Sequence, residues 1–202
     1  MIATKVRSLD LNIVVLAAGF SARLGQPKAL ARIHGVSLLR RTVTLAAALH
    51  AARIIVVVPP AAARYRVQAR HRNVTLVRNP RRSHGLSSSV RCGLEHAWYC
   101  PAVLLLPVDL ADLKLHDLRR LVRRWQAAPG RTYAARMGTR GGAPLILPKR
   151  LFPRAVRVAG DTGLRGLLAE LPPAQREFIE LPSARFDVDT ATDLAAARRR
   201  WR

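Results

Sequence analysis

Ile13-Val14-Val15-Leu16 is a β-branched and aliphatic run that suits a buried strand, and it stops abruptly in small residues, Ala17-Ala18-Gly19. Phe20-Ser21-Ala22-Arg23-Leu24-Gly25 and Pro27-Lys28 follow. A glycine-punctuated turn directly after a strand lets backbone N–H groups approach a phosphate with no Cβ in the way. Arg23 and Lys28 set two positive charges beside that turn, one a planar fork for phosphate oxygens and the other a compact point charge. Two better-known glycine loops are excluded. Gly25 precedes Gln26 rather than the lysine of G-x-x-x-x-G-K-[ST], and Gly19 and Gly25 do not make G-x-G-x-x-G.

The rest of the chain alternates strand and helix patterns. Further strands are expected at Arg53–Val58, apolar throughout as a buried parallel strand should be, and at Val74–Val77 and Ala102–Leu106. A small strand and turn is expected at Ile33–Val36. Thr132–Ala135 and Pro144–Leu147 read as two more strands, separated by Gly138-Thr139-Arg140-Gly141-Gly142. Helical spacing follows Ser37, runs on from Ser83, and recurs over Leu115–Trp125, where Leu118, Leu121, Val122 and Trp125 share a face. An exposed helix is expected within Ala61–Arg70, and a closing helix after Thr190 or Thr192, either of which can cap it. Its arginine-rich end, Arg198 to Arg202, suits the negative pole of that helix and otherwise reads as a solvated tail. This order predicts one α/β domain, a three-layer α/β/α sandwich on a mostly parallel, Rossmann-like sheet.

With 202 residues, half of them hydrophobic, the chain can bury a full core of Leu, Val, Ile and Ala. No run of about 18 apolar residues suggests a membrane span. The N-terminus lacks the apolar stretch of a signal peptide. Cys92 and Cys100 have no metal-ligand spacing and read as free thiols of a reducing compartment, so a cytoplasmic location is expected. The charge is the unusual quantity: 35 basic against 12 acidic residues, formally +23. Such a balance can mark a nucleic-acid binder, but the arginines are scattered and no nucleic-acid module accompanies them. A positive field also attracts a nucleoside triphosphate.

L-A-A-G-x-S-x-R-[LM]-G-x-P-K-x-L, spanning Leu16 to Leu30, resembles nucleotidyltransferases that make activated diphosphates, especially the molybdenum cofactor cytidylyltransferase family. Three later segments are similar to that family in the same order: Asn79-Pro80 through Gly85-Leu86-Ser87-Ser88-Ser89, Pro107-Val108-Asp109, and Asp187-Val188-Asp189-Thr190. Gly160-Asp161-Thr162-Gly163-Leu164-Arg165 resembles a weaker family segment near the acceptor. Two departures stand out: Ala111 where proline is usual, and Ala143 where histidine is common. The resemblance implies nucleotidyl transfer from CTP to the phosphate of molybdopterin, with Mg2+ and release of pyrophosphate. It places the nucleotide against Leu16, Ala17, Ala18, Gly19, Ser21, Arg23, Gly25, Lys28, Asn79, Gly85, Ser87 and Ser88. Arg23, Lys28 and Asp109 would be catalytic, Asp109 and Asp189 would hold the metal, and Asp161 and Arg165 would meet the acceptor. A molybdoenzyme or its chaperone is the partner it implies. Plainer readings stand beside these: the serines as N-cap residues, and Asp109 or Asp112 capping the next helix. Asp187 and Asp189, two apart, would share one face if the segment is a strand. A guanylyltransferase or sugar-phosphate nucleotidyltransferase of the same fold is the nearest alternative, and a non-catalytic basic nucleic-acid module the most distant.

Overall fold

A computed structural model describes residues 9–157 and 163–201. In chain order its strands are β1 (Leu9–Leu16), β2 (Arg32–Ile33), β3 (Val36–Ser37), β4 (Ala51–Val58), β5 (Val74–Arg78), β6 (Ala102–Pro107), β7 (Thr132–Met137), β8 (Arg140–Pro148) and β9 (Arg176–Ile179). The helices are α1 (Leu38–Ala47), α2 (Ala63–Gln68), α3 (Leu86–His96), α4 (Leu115–Ala127), α5 (Phe152–Ala155), α6 (Gly163–Glu170) and α7 (Ala191–Arg200). Seven strands form one sheet in the order β5-β4-β1-β6-β8-β7-β9, while β2 and β3 make a separate small ribbon. The pairs β4–β5, β1–β4, β1–β6 and β7–β9 are parallel. Only β8 runs against its neighbours, β6 and β7. The sheet is mostly parallel, as the alternating pattern predicted.

Solid apolar strands arise because both faces of the sheet are covered. Ile13 and Val15, with Ile54, Val56, Leu104 and Leu106, pack in a layer with Leu39 and Val43 of α1 and Leu118 and Leu121 of α4. Their strand neighbours Val14, Leu16, Ile55, Val57, Val103 and Leu105 point the other way, onto Val90 and Leu94 of α3 and Leu167 of α6. Each such side chain contributes roughly 1.5–3 kcal/mol of burial. A third, smaller cluster gathers Leu24, Ile33, Leu38, Ala111, Val188 and Leu194 beneath the connecting loops. Among the described residues, no helix is long and apolar enough to cross a membrane.

The structure departs from the sequence reading in three places and adds to it in a fourth. Gly141 and Gly142 belong to β8 rather than to a loop, because a side chain at either would collide, with Phe178 at 2.4 Å and with Met137 at 2.9 Å. The helix α2 is not fully exposed, since Tyr65 is buried. Residues 187–189 form a single bridge, Asp187 to Leu110, rather than a strand. The alternation survives all the same, with Val188 fully buried between the two aspartates. The arginines at the end of α7 are exposed, as read, but Arg198 and Arg200 are also tethered: Arg198 donates to the Arg32 carbonyl, Arg200 and the Trp201 indole N–H meet Asp112, and the Arg41 guanidinium lies 3.2 Å over the Trp201 ring. That leaves Asp112 engaged with the tail, and α4 begins after Lys114 without a side-chain cap. The closing helix α7 is capped by Thr190, in a reciprocal box with Asp193.

Gly93 of α3 has no room for a methyl group, because a Cβ there would stand 2.3 Å from Val14 Cγ1. Gly93→Ala should therefore push α3 off β1 and cost about 1–3 kcal/mol. Chemical denaturation would show this as a lowered midpoint with unchanged slope; an unchanged midpoint would refute the tight contact.

Candidate active site

The sheet register builds the site. In parallel sheets ligands bind outside the carboxyl ends of the strands. Leu16 pairs with Pro107, so the chain leaves β1 into Ala17-Ala18-Gly19 directly beside the point where it leaves β6 into Val108-Asp109. The first loop then makes two short turns. Ser21 and Gly25 both adopt left-handed backbone, with φ of 55° and 70°. Ser21 Oγ accepts from the Lys28 N–H at 2.9 Å, which fastens the end of the loop to its beginning.

From the far end of the chain, Val188 N–H donates to the Asp109 carbonyl at 3.0 Å. That bond lays Asp187 and Asp189 along Asp109. Lys28 Nζ is the junction, donating to Asp189 Oδ1 at 2.7 Å and to Asp109 Oδ2 at 3.1 Å. Burial works against its charge, but the two carboxylates outweigh that and raise its pKa above the usual lysine value. The Lys28 hydrogen bond, supported by Arg23, holds Asp189 below the ordinary carboxylate range. Asp187 goes the other way: burial, then repulsion from Asp109 and Asp189, pushes it up to about 6, with Lys28 and Arg165 pulling back. Asp193 accepts from the Asp189 and Thr190 N–H groups and so holds the backbone of the aspartate segment.

Two cavities meet at Asp109. The first, about 190 Å³, is lined by residues 16–21 and by Lys28, Arg82, Gly85, Leu86, Ser89 and Asp109. The second, about 510 Å³, is lined by Arg23, Asp109, Asp187, Asp189, Ala143, Leu164 and Arg165. The wall between them includes Leu16, Leu86, Pro107 and Asp109. Of the residues singled out in the sequence, Leu16, Ala17, Ala18, Gly19, Ser21, Lys28 and Gly85 gather at the first cavity, and Arg165 lies at the second.

Several expected residues are placed differently. Arg23 faces the second cavity and holds Asp189 at 2.7 Å. That ion pair is largely exposed on the arginine side and contributes about 0–1 kcal/mol, so little opposes exchange for a phosphate. Gly25 is exposed and serves the turn. Asn79 is buried and fully engaged: its amide donates to Ser88 and Ser89 Oγ at 2.9 and 3.0 Å, and its oxygen accepts from Arg81 N–H. The hydroxyls of Ser87 and Ser88 turn back to the carbonyls of His84 and Gly85, and no side chain caps α3. Gly85 occupies the cap position with φ of 80°, and Gly85, Leu86 and Ser89 bring the start of α3 to the cavity. A helix start of that kind favours an anion. Asp161 lies outside the described residues.

Sequence reasoning passed over Phe20, Arg82, Leu86 and Ser89, all of which line the first cavity. The Arg82 guanidinium stacks 4.1 Å over the Phe20 ring, tying the loop after β1 to the loop after β5. Both occupy unspecified positions of their patterns; only the Arg81-Arg82 pair offered a signal.

Among the described residues no three His, Cys, Asp or Glu side chains already form a metal cage. The two carboxylates that share Lys28 nonetheless suit magnesium, a hard ion that takes one or two carboxylates together with waters and substrate phosphates.

Residues 13–176 match the family model of the MobA-like NTP transferase domain, and the chain belongs to that family. A probable molybdenum cofactor guanylyltransferase of Rhodopirellula baltica is 29% identical over 188 residues, covering 90% of this chain and 88% of the relative. In fold, Rv0371c from Mycobacterium tuberculosis superposes with a TM-score of 0.77 at 24% identity, covering 94% of this chain and 98% of its own. A nucleotidyl transferase from Methanothermobacter gives 0.79 at 21% identity, covering 95% and 97%. A second structure of Rv0371c, a manganese complex, superposes with 0.72 at 22% identity, covering 94% and 98%.

Replacing Lys28 by methionine leaves Asp189 without its strongest hydrogen bond and beside Asp109. The Asp189 pKa should then rise toward the ordinary value, with the Arg23 ion pair still holding it down in part. Carboxyl-carbon NMR titration of wild type and Lys28→Met checks this; an unmoved Asp189 would mean that the bridge is not what depresses it.

Proposed function

We propose that this nucleotidyltransferase moves a cytidylyl group from CTP to the phosphate of molybdopterin, giving the cytosine dinucleotide and pyrophosphate. The observation that carries the reading is the placement of Lys28 Nζ against both Asp109 and Asp189, beside the amide loop of residues 16–21. The triphosphate lies along the first cavity, where backbone amides, Ser21 and the start of α3 accept its negative charge. The acceptor enters from the second cavity, past Arg165. Its phosphate oxygen attacks the α-phosphorus in line; the new O–P bond forms as the bond to the β-phosphate oxygen breaks, and pyrophosphate leaves. An acceptor phosphate is already anionic at neutral pH, so the protein need not remove a proton. Its task is positioning and charge neutralisation. Lys28 neutralises the α-phosphate, and Arg23, which lines the second cavity rather than the first, meets the acceptor's phosphate. Asp109 and Asp189 would hold Mg2+, which when bound withdraws charge from phosphate oxygens. The manganese in the Rv0371c complex supports a divalent ion at a site of this fold.

Two sequence features support cytosine as the base. Ala17 and Ala18 occupy the loop where guanylyltransferases of this fold carry L-A-G-G, and Pro27 precedes Lys28 where they carry Asp. The name of the Rhodopirellula relative favours GTP instead, and this is the second reading. The free thiols Cys92 and Cys100 support a reducing, cytoplasmic setting.

A thermal-shift panel of CTP, GTP, ATP and UTP with magnesium decides the base, because selective binding stabilises by mass action. A shift with CTP alone supports the proposal, one with GTP alone replaces it by the second reading, and equal shifts remove base selectivity altogether. In pyrophosphate-release assays with molybdopterin, Lys28→Ala should lower kcat about 100-fold or more. Asp109→Asn should lower it comparably and weaken the dependence on magnesium. Retention of wild-type kcat by either variant would remove that residue from the mechanism.

A further inference from the structure

Beyond the second cavity lies a groove of about 630 Å³ between the β7–β8 hairpin, helix α6 and the edge strand β9. We propose that this groove binds a second anionic group of the acceptor, separate from the phosphate that reacts. The inference rests on reading the second cavity as the acceptor's entrance.

Three arginines, Arg140, Arg165 and Arg176, line the groove, and no carboxylate does. Nearby arginines behave differently: Arg136 holds Glu180 at 3.1 Å, Arg124 holds Glu177 at 2.7 Å and Arg154 holds Glu170 at 2.8 Å. Among the described residues none of the three groove arginines has an acidic partner within salt-bridge distance. Three guanidinium groups around one space repel one another unless an anion enters it. Their planar forks match phosphate and carboxylate oxygens.

One wall is held in place rather than left to swing. The Arg176 guanidinium lies 5.2 Å over the Phe178 ring, and its Nη1 donates to the Leu168 carbonyl. The same ring leaves no space for a side chain at position 141, which brings the hairpin against it. Thr139 adds a hydroxyl at the rim. Continuity with the reaction site comes from Arg165 and Leu168, which line both the groove and the cavity containing Asp109 and Asp189. A small molecule with its reactive phosphate at Asp109 and another oxyanion some distance along its skeleton would span the two.

The experiment is calorimetric titration of triphosphate-saturated protein with two probes, glycerol phosphate and 1,3-propanediol bisphosphate. Wild type should bind the bisphosphate about tenfold or more tightly than the monophosphate. Arg140→Glu should bring that ratio near one. Arg66→Glu, which makes the same charge change at an exposed position of the distant helix α2, should keep it. Triphosphate affinity should be unchanged in both variants, which also confirms that they fold. Equal affinities in wild type, or a ratio retained by Arg140→Glu, would overturn the groove. Loss of the ratio in Arg66→Glu as well would reduce it to net charge and overturn it equally. Should no triphosphate bind, the proposed function fails; the same titrations on the free protein still read the groove through Arg140.

Discussion

The site depends on one ammonium group shared by two carboxylates that are far apart in the chain. Lys28 joins the loop after β1, the end of β6 and the segment before α7. Without it, Asp109, Asp187 and Asp189 would crowd one cavity edge with only exposed Arg23 and Arg165 to offset them. Unit charges about 4 Å apart interact by about 4 kcal/mol at an effective dielectric of 20, so such crowding is costly. The Lys28 side chain is only 15% exposed, yet the neighbouring carboxylates keep it charged. The same group that closes the fold at this edge thereby stands charged at the rim shared by the two cavities.

What brings the partners together is the packing of the loops. Ala111 is fully buried against the cluster that contains Val188, so the position where relatives of similar pattern carry proline serves here as a packing contact. Asp117, also buried, accepts from the Ser183 N–H and hydroxyl and fixes the chain ahead of the aspartate segment. Asp193 then sets the direction in which Asp189 leaves.

The large positive charge is partly structural. Arg40 ties α1 to the carbonyls of Val67 and Arg70, Arg41 reaches the Leu113 carbonyl, Arg150 holds the Gly130 carbonyl, and Arg198 holds that of Arg32. A guanidinium offers five donors and satisfies loop carbonyls that no sheet or helix can serve. Twelve acidic residues cannot pair with all of these cations, and the surplus leaves the protein with a net positive field.

Much of the molecule was legible from local pattern. Solid apolar runs announced strands covered on both faces, and residues 16–30 announced a turn flanked by Arg23 and Lys28, because strand, turn and charges lie within one short stretch. Other features were hidden because they are made by contacts across the chain. Gly141 and Gly142 looked like loop residues until Phe178 and Met137 explained why side chains are excluded there. The terminal arginines looked only solvated, since nothing nearby in sequence shows that Asp112 and Trp201 would meet. Arg82 occupies an unspecified position, and only the approach of Phe20 makes it part of a cavity wall. The chain's own order of residues determined the layers, the glycine-punctuated loop after β1 and the identity of the lysine and aspartates that meet beside it. The tertiary structure alone decided that Lys28 serves two carboxylates at once and that three arginines with no acidic partner among the described residues line one groove, because charge pairing acts through space between segments that no spacing rule connects.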